Sequence, residues 1–258
     1  MSDDRVLPRR RFLARALGGA AALALSGCQK LSESDWFPKV LAVGERLSSG
    51  AQTLIVGRRA MAQEFTEADL SPSFRSNGTA QPQSSEYSAL LAGNFADWRL
   101  VVDGLVATPG RYSLADLRAL PSRTQITRHD CVEGWSAIGK WKGVNLSTLL
   151  EAARPAPTAR FVVFHCADPM DDDGQELYYE SIDMDDAWHP QTILAYDLND
   201  KALPVQNGAP LRLRVERQLG YKHAKYLMRL ELVDSFDKIR GGSGGYWEDQ
   251  GYQWYAGI

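Results

Sequence analysis

Several features that mark common protein classes are scarce or absent in this sequence of 258 residues. It has only three cysteines, which excludes a fold built on disulfides. No cysteine pair has the spacing of a zinc finger or an iron–sulfur site, and the haem-attachment sequence Cys-x-x-Cys-His is absent. No glycine-rich loop has the form that binds dinucleotides. A formal net charge of -3 and a pI near 5.9 argue against nucleic acid as a partner.

The N-terminal segment has the features of a targeting signal. Arg9-Arg10-Arg11-Phe12-Leu13 resembles the twin-arginine export signal, and the apolar run Ala14–Leu25 after it is roughly half a membrane-spanning length. The run ends in Leu25-Ser26-Gly27-Cys28, which resembles a bacterial lipobox. We therefore predict that residues 1–28 direct the folded protein to the periplasm and that Cys28 becomes lipidated. The alternative is a soluble periplasmic protein cut nearby, with Cys28 incidental.

The remaining pattern predicts an α+β fold with mixed and antiparallel sheets and short helices. Residues 29–85 are poorly patterned and are predicted to form an N-terminal arm, followed by one domain over residues 86–258. Ser113 with Asp116 indicates the start of a helix that stops before Pro121, and a second helix is predicted over 145–153. Strands are predicted near 98–106, 160–165, 211–215 and 227–233, the last two half-buried and antiparallel.

Cys131 is the residue with the clearest chemical interest. It lies in Arg128-His129-Asp130-Cys131-Val132-Glu133-Gly134-Trp135-Ser136, followed by Trp141-Lys142-Gly143. A thiolate is a soft ligand that suits a transition metal, and we expect Arg128 and His129 to favour the thiolate over the thiol. The residue types alone leave a second interpretation open, in which Cys131 is a buried structural cysteine beside aromatic residues.

The order of residues 131–136, with Trp-x-Gly and a leucine-rich helix after it, resembles the molybdenum-binding segment of the sulfite oxidase superfamily. It is most similar to the branch that contains the catalytic subunit of the periplasmic methionine sulfoxide reductase. The resemblance implies a sulfite-oxidase-type fold that binds molybdenum-molybdopterin. It also implies that Cys131 ligates the metal directly and that the pterin dithiolene supplies two further sulfurs.

A second segment resembles the pterin-binding half of the same family. It comprises Asn207-Gly208-Ala209-Pro210-Leu211-Arg212 and Gly220-Tyr221-Lys222-His223-Ala224-Lys225. The resemblance implies cofactor contacts from Asn207, Arg212, Gly220, Lys222, His223 and Lys225. The residue types agree, because guanidinium and ammonium groups suit a phosphate dianion and an amide suits the pterin edge. A plain solvated face of alternating strands is the alternative.

Two further stretches are predicted to contact the cofactor from the resemblance alone. His165-Cys166 follows a strand, and this branch of the family has a cofactor-contacting threonine in place of Cys166. Cys166 is therefore expected near the pterin without ligating the metal; a disulfide between Cys131 and Cys166 is the rival interpretation. Arg75 and Asn77 in the arm are expected to reach over the pterin, and a plain loop is the alternative there.

The implied activity is oxygen-atom transfer, in the direction that reduces an S-oxide of a small molecule or a protein. The sulfite oxidase branch has Gly-Asn-Arg soon after the metal cysteine, whereas Glu133-Gly134-Trp135 stands here, which disfavours sulfite. The alternatives are a sulfite-oxidising dehydrogenase and a lipid-anchored binding protein without cofactor. Electrons are expected from a separate redox partner, such as a membrane b-type cytochrome. The aromatic C-terminus either closes the mouth of the site or packs down the chain end.

Overall fold

The computed structural model describes residues 60–258 except Asp172 and Gln175, together with Ser34, Trp36, Val43, Gly44 and Gly57. The predicted export segment and Cys28 lie outside the described residues. Contacts divide the chain into two compact units, Met1–Gly57 and Arg58–Ile258, and everything below concerns the second. Residues 58–85 of the predicted arm belong to this second unit. Within the described residues, no helix is both long and apolar enough to cross a membrane.

Strands dominate the second unit. The strands are β1 (Leu100–Gly104), β2 (Gly110–Tyr112), β3 (Ser122–Cys131), β4 (Trp135–Asn145), β5 (Phe161–Pro169), β6 (Leu177–Asp183), β7 (Ile193–Leu198), β8 (Lys201–Ala202), β9 (Arg212–Arg214) and β10 (Leu227–Val233). The α-helices are α1 (Ser85–Ala92), α2 (Leu114–Ala119), α3 (Leu146–Ala153), α4 (Met184–Ala187) and α5 (Tyr246–Asp249). Short 3-10 turns lie at Glu67–Asp69, Val205–Asn207 and Gly220–Lys222.

The strands form two sheets. The first has the order β2-β1-β10-β5-β6, in which β1 and β10 are parallel and the other pairs antiparallel. The second has the order β3-β4-β7-β8, with β9 also paired to β7, and all of its pairs are antiparallel. The predicted α+β class with mixed and antiparallel sheets is confirmed.

Both predicted helices are present. The Ser113 hydroxyl accepts a hydrogen bond from the Asp116 amide at 3.1 Å, and α2 ends at Ala119, before Pro121. In α3, Leu146, Leu149 and Leu150 are fully buried, which their helical spacing predicts. Capping and apolar periodicity therefore determine these two elements locally.

The prediction of a half-buried strand at residues 211–215 is wrong in its burial. All three residues of β9 are buried, and both Arg212 and Arg214 have 0% of their surface exposed. Their guanidinium groups lie over the ring of Trp141, at 5.1 Å and 4.5 Å from its centroid. Stacking on an aromatic face lets a weakly hydrated guanidinium enter the interior, so alternation of apolar and basic residues did not mean one solvated face.

The hairpin of β3 and β4 places Cys131. The two strands pair without interruption from Ser122 opposite Val144 to Cys131 opposite Trp135, and Gly134 makes the turn with φ +84°. Because side chains alternate along a strand, Cys131 points to the same side as the buried His129. The hairpin thus carries Cys131 at its tip, on the inner side.

Candidate active site

Cys131 lines a cavity of about 210 Å³. The cavity is built from distant parts of the chain: the loop after residue 76, the β3–β4 turn, the end of β5, the start of β6, the segment after β9 and the C-terminal region. Its lining residues are Asn77, Gly78, Thr79, Cys131, Val132, Glu133, Asp168, Met170, Tyr178, Tyr221, His223, Lys225, Trp247 and Tyr252, and we call this cavity the pocket. Four predicted site residues therefore meet here: Asn77, Cys131, His223 and Lys225.

The Cys131 thiol is free and partly buried. Burial raises its pKa, and the Glu133 carboxylate adds to that shift, whereas the charges of Arg75 and Arg212 oppose it. A metal ligand must be the thiolate, so a bound cation has to displace this proton. The partial exposure of Cys131 and its place in the lining of a cavity argue against the interpretation of Cys131 as a buried structural cysteine.

The expectation that Arg128 and His129 favour the thiolate is wrong. Arg128 is exposed and forms an ion pair with Asp130 at 2.9 Å. His129 is buried, and its pKa lies well below the usual value, first because of burial and then because of the nearby Arg214 charge. His129 is therefore neutral and cannot supply the positive charge.

The rival disulfide is also wrong, because Cys131 and Cys166 are both free thiols. Cys166 lies on the inner side of β5 and belongs to the main hydrophobic core. Burial raises the pKa of its thiol well above the usual value, and the negative charge of Asp168 adds to that. Cys166 is therefore a neutral thiol in the core, beside the pocket residue Asp168 in the same strand.

Two buried cations lie at the pocket, Lys225 in its lining and Arg212 behind it. The Arg212 guanidinium donates to the carbonyl oxygens of Asn207 at 2.9 Å and His223 at 3.3 Å. The Lys225 ammonium donates to the carbonyl oxygens of Asn77, Thr79 and Gln206. Burial lowers the pKa of Arg212 to about 9 and that of Lys225 to about 7, and in each case a neighbouring arginine adds to the shift. Buried cations that bond only to neutral carbonyls are costly, and a bound anion would stabilise them.

Unpartnered polar atoms indicate a ligand of the same kind. Within the part of the chain that the structure describes, four buried atoms of the predicted site residues have no hydrogen-bond partner: Asn77 Oδ1, Asn207 Nδ2, Arg212 Nε and His223 Nδ1. Buried polar atoms are normally paired, and these include donors and an acceptor. Together with the two cations, they match a large polar ligand that carries an anionic group, as a pterin phosphate does.

Behind the pocket, a buried network fixes the basic side chains. Arg214 forms an ion pair with Glu216 and donates to His129 Nδ1 at 2.9 Å. Gln125 donates to Glu216 at 2.8 Å, and the rings of His129 and His223 lie 5.0 Å apart in a T-shaped contact. This network links β3 to β9 and thereby sets the position of His223 relative to the β3 tip.

Arg75 lies beside the pocket without lining it. Its guanidinium lies 5.6 Å from the centroid of the Trp135 ring, and its charge favours the Cys131 thiolate. Asn207 and Arg212 stand behind the pocket surface, with Asn207 bonding Arg212 as described. Gly220 also lies behind that surface, where a Cβ would approach His129 Nε2 to 2.6 Å. Gly220 thus serves the packing of His129 rather than contact with a ligand.

Two further predicted cofactor residues also do not line the pocket, and each pairs with a carboxylate instead. Lys222 is buried but forms ion pairs with Glu180 and Glu248. His165 points to the other side of β5 from Cys166, where it contacts Glu231 at 2.8 Å and Arg229 at 3.5 Å. The alternation of side chains along β5 makes it impossible for both His165 and Cys166 to face the core.

Sequence reasoning missed several lining residues, of which Asp168 is the most notable. Asp168 is buried, its Oδ1 atom has no partner among the described residues, and burial raises its pKa to about 7 against the opposing charge of Lys225. Its position could have been inferred, because it follows Cys166 by two residues in the same strand. Trp247 and Tyr252 lie in the aromatic C-terminal stretch, and both line the pocket.

Comparisons with known proteins agree with this geometry. Residues 89–238 match the family of the oxidoreductase molybdopterin binding domain. The chain is 37% identical over 249 residues to a protein of Azospira oryzae provisionally named protein-methionine-sulfoxide reductase subunit YedZ1, covering 96% of this chain and 87% of that protein. It is 32% identical over 245 residues to the protein-methionine-sulfoxide reductase catalytic subunit MsrP of Xanthomonas axonopodis pv. citri, covering 91% of this chain and 73% of that protein.

Among solved structures, the sulfane dehydrogenase SoxCD from Paracoccus pantotrophus superposes with a TM-score of 0.49 at 23% identity, over 58% of this chain and 44% of that chain. Both the matched domain and the two sequence relatives span most of the unit described above. The chain therefore belongs to the molybdopterin-binding oxidoreductases of the sulfite oxidase superfamily, near the branch of the methionine sulfoxide reductase catalytic subunits, and is an enzyme with a molybdopterin cofactor.

Proposed function

We propose that this chain is the catalytic subunit of a reductase that removes the oxygen atom from an S-oxide, with methionine sulfoxide, free or in a polypeptide, as the substrate class. The observation that carries the proposal is the meeting of Cys131 and Lys225, with Arg212 buried just behind, at one pocket. The names of the two relatives point to the same substrate. Two electrons and two protons convert the S-oxide to a thioether and water.

The residues divide into two roles in this proposal. Cys131 would ligate the metal, while Arg212, Lys225, His223, Asn207 and Asn77 would hold the pterin and its phosphate. When bound, the molybdenum cofactor supplies a centre that accepts an oxygen atom and exchanges two electrons. In the network behind the pocket, Arg214 donates to His129 and keeps it neutral, and the His129 ring packs against His223 and fixes it. Arg212 and Lys225 would therefore be the charged groups that contact the anion.

Asp168 is placed to hold a proton for the reaction. Its raised pKa of about 7 keeps the carboxyl partly protonated near neutral pH, and its Oδ1 atom has no partner among the described residues. A group whose pKa lies near the working pH is the most effective proton donor. Asp168 therefore can deliver one of the two protons into the pocket.

The charge of the pocket favours a neutral substrate over sulfite. Glu133 lines the pocket two residues after Cys131, in the stretch Glu133-Gly134-Trp135 that stands where the sulfite oxidase branch has Gly-Asn-Arg. A carboxylate there repels a sulfite anion but leaves an uncharged S-oxide unaffected. Apolar and aromatic side chains, among them Met170 and Trp247, complete the lining and suit the alkyl groups of a thioether.

The test is a direct comparison of substrates with purified holoenzyme. With a reduced viologen as electron donor, we expect methionine sulfoxide to drive viologen oxidation. With ferricyanide as acceptor, we expect sulfite to give no reduction above background. The control is protein from a host that cannot make the pterin, which should be inactive in both assays. Turnover of sulfite without turnover of S-oxides would reverse the proposed direction.

We further propose that electrons arrive from a separate membrane partner, such as a b-type cytochrome. Both relatives are named as subunits, and the sequence has no haem-attachment site of its own. The experiment is affinity purification of the tagged chain from detergent-treated membranes of its own host, after crosslinking. We expect a co-purifying protein with a b-haem absorbance spectrum. If the purified sample contains no haem although the membranes reduce the S-oxide at the full rate, the proposed partner is wrong.

The location is also a proposal: export by the twin-arginine route to the periplasm, with a lipid on Cys28. The basis is the sequence of residues 9–28. Replacing both Arg9 and Arg10 by lysine should leave the protein in the cytoplasm, and Cys28→Ser should move it from the membrane to the soluble periplasmic fraction. Unchanged fractionation of either variant would refute the corresponding part.

A further inference from the structure

The C-terminal segment, residues 239–258, lies beyond the matched family domain, which ends at residue 238. It nevertheless supplies Trp247 and Tyr252 to the lining of the pocket. A part of the pocket wall therefore comes from chain that the family domain itself does not include. That wall is a natural place for selectivity among related substrates.

The segment is held in place by contacts along its length. The Glu248 carboxylate is buried in an ion pair with Lys222. The Gln253 carbonyl oxygen accepts a hydrogen bond from the Tyr221 hydroxyl at 2.6 Å, and the Trp254 indole donates to the Ser181 hydroxyl at 2.8 Å. Near the end, the Ala256 amide donates to the Gln218 side chain at 2.9 Å. These contacts bring Trp247 and Tyr252 to the pocket as part of the folded unit.

Three aromatic rings form a continuous surface there, which we call the aromatic wall: Tyr221, Trp247 and Tyr252. The rings of Trp247 and Tyr252 are 5.3 Å apart between centroids, and those of Tyr221 and Tyr252 are 5.5 Å apart in a T-shaped contact. The hydroxyl of Tyr221 is engaged by Gln253, so this residue presents mainly its ring. The wall lines the same pocket as Cys131 and Lys225.

We propose that the aromatic wall determines specificity by binding the organic groups attached to the S-oxide sulfur, and that it selects bulky apolar substituents over small ones. The inference rests on the proposed function, because it concerns the substrate of that same site. Methyl, methylene and aryl groups gain contact with aromatic faces, and sulfur itself packs well against ring edges. A substrate with only two methyl groups fills little of this surface.

The test compares two probes, methyl p-tolyl sulfoxide and dimethyl sulfoxide, bound to the oxidised holoenzyme without turnover and measured by calorimetry. We expect the tolyl probe to bind about tenfold more tightly to the wild type. Tyr252→Ala and Trp247→Leu should each remove most of that preference, and Trp247→Phe should keep it. The matched control is Trp188→Ala, because Trp188 is exposed and does not line the pocket.

Molybdenum content and melting temperature verify that each variant is folded and loaded; Tyr252, with 44% of its surface exposed, is the safer substitution for folding. Equal binding of the two probes by the wild type, or an unchanged preference in folded Tyr252→Ala, overturns the aromatic wall. If the preference and its loss are found but the holoenzyme reduces neither the two probes nor methionine sulfoxide, the wall stands and the proposed S-oxide reductase function fails. The binding and turnover measurements thus separate the two claims.

Discussion

At the scale of single residues, the pocket concentrates groups that are unfavourable in a folded protein without a ligand. Arg212 and Lys225 are buried among carbonyl oxygens, and the buried Asp168, whose pKa is raised, lines the same pocket as Lys225. Such groups lower stability unless something binds to them. Their presence in one place is best explained by an anionic cofactor that binds after or during folding.

Asp168 gives a pH-dependent test. Its pKa is about 7 when folded and near 3.9 in an unfolded chain, so the stability that it contributes is present below about pH 4 and is lost as the pH rises through about 7. Asp168→Asn removes this loss. In cofactor-free protein, the melting temperature of the variant minus that of the wild type should be larger at pH 8 than at pH 5. The exposed Asp97→Asn should show no such difference, and equal differences for Asp168→Asn at both pH values would refute the assignment.

Part of the site could be predicted at this scale and part could not. The order of residues along the chain was enough to select Cys131, Lys225 and His223, which share the pocket. The order of residues could not show which of Lys222 and Lys225 lines the pocket. Lys222 forms an ion pair with Glu248, which is distant in sequence, and therefore does not line it. The predicted strand ends at residue 165, whereas β5 runs to Pro169. With the longer strand, side-chain alternation places Asp168 on the same side as Cys166 and His165 on the opposite side.

At the scale of elements, the β3–β4 hairpin positions Cys131, the proposed metal ligand, and the hairpin was not predicted. Its inner side carries Gln125, Thr127 and His129, which are buried yet polar, so hydropathy along β3 does not alternate. Predictions that rest on apolar periodicity succeed for α3, whose leucines pack in the core, and fail for a strand that faces a polar site. The strand whose apolar periodicity fails is therefore the one that carries Cys131 at the pocket.

The close packing of β4 on β7 can be tested at Gly143. A Cβ there would lie 2.1 Å from the Leu194 carbonyl oxygen, so Gly143→Ala must push the two strands apart. We expect a loss of about 1–3 kcal/mol in the free energy of unfolding, measured in urea. The control is Gly93→Ala, whose Cβ would sit at an ordinary 3.6 Å from the Ala89 carbonyl oxygen. A loss for Gly143→Ala no larger than that of the control would contradict this packing.

At the scale of the compact unit formed by residues 58–258, distant segments are joined at buried charges. Lys222 after β9, Glu180 in β6 and Glu248 in α5 form one cluster, in which burial raises the pKa of Glu180 well above its usual value. The cluster fixes the C-terminal segment to the sheet that bears β6. It also explains how an aromatic chain end without periodicity takes a defined place at the pocket, which no local pattern could predict.

Lys222→Met should therefore destabilise the protein strongly, because two buried carboxylates lose their cation. A loss of about 3–5 kcal/mol in the free energy of unfolding is expected from equilibrium denaturation. Lys142→Met, at an exposed position of β4, should change it by less than about 0.5 kcal/mol. Similar small changes in both variants would mean that the cluster does not hold the C-terminal segment.

The central claim is that the Cys131 sulfur holds the metal, and the molybdenum content of purified Cys131→Ser protein tests it most directly. The control is Cys166→Thr, which alters the other free thiol of the described residues and introduces the residue that this branch of the family has at that place. We expect a molybdenum-to-protein ratio near that of the wild type in Cys166→Thr and a severe loss in folded Cys131→Ser. Molybdenum in Cys131→Ser equal to that of the wild type would contradict the account.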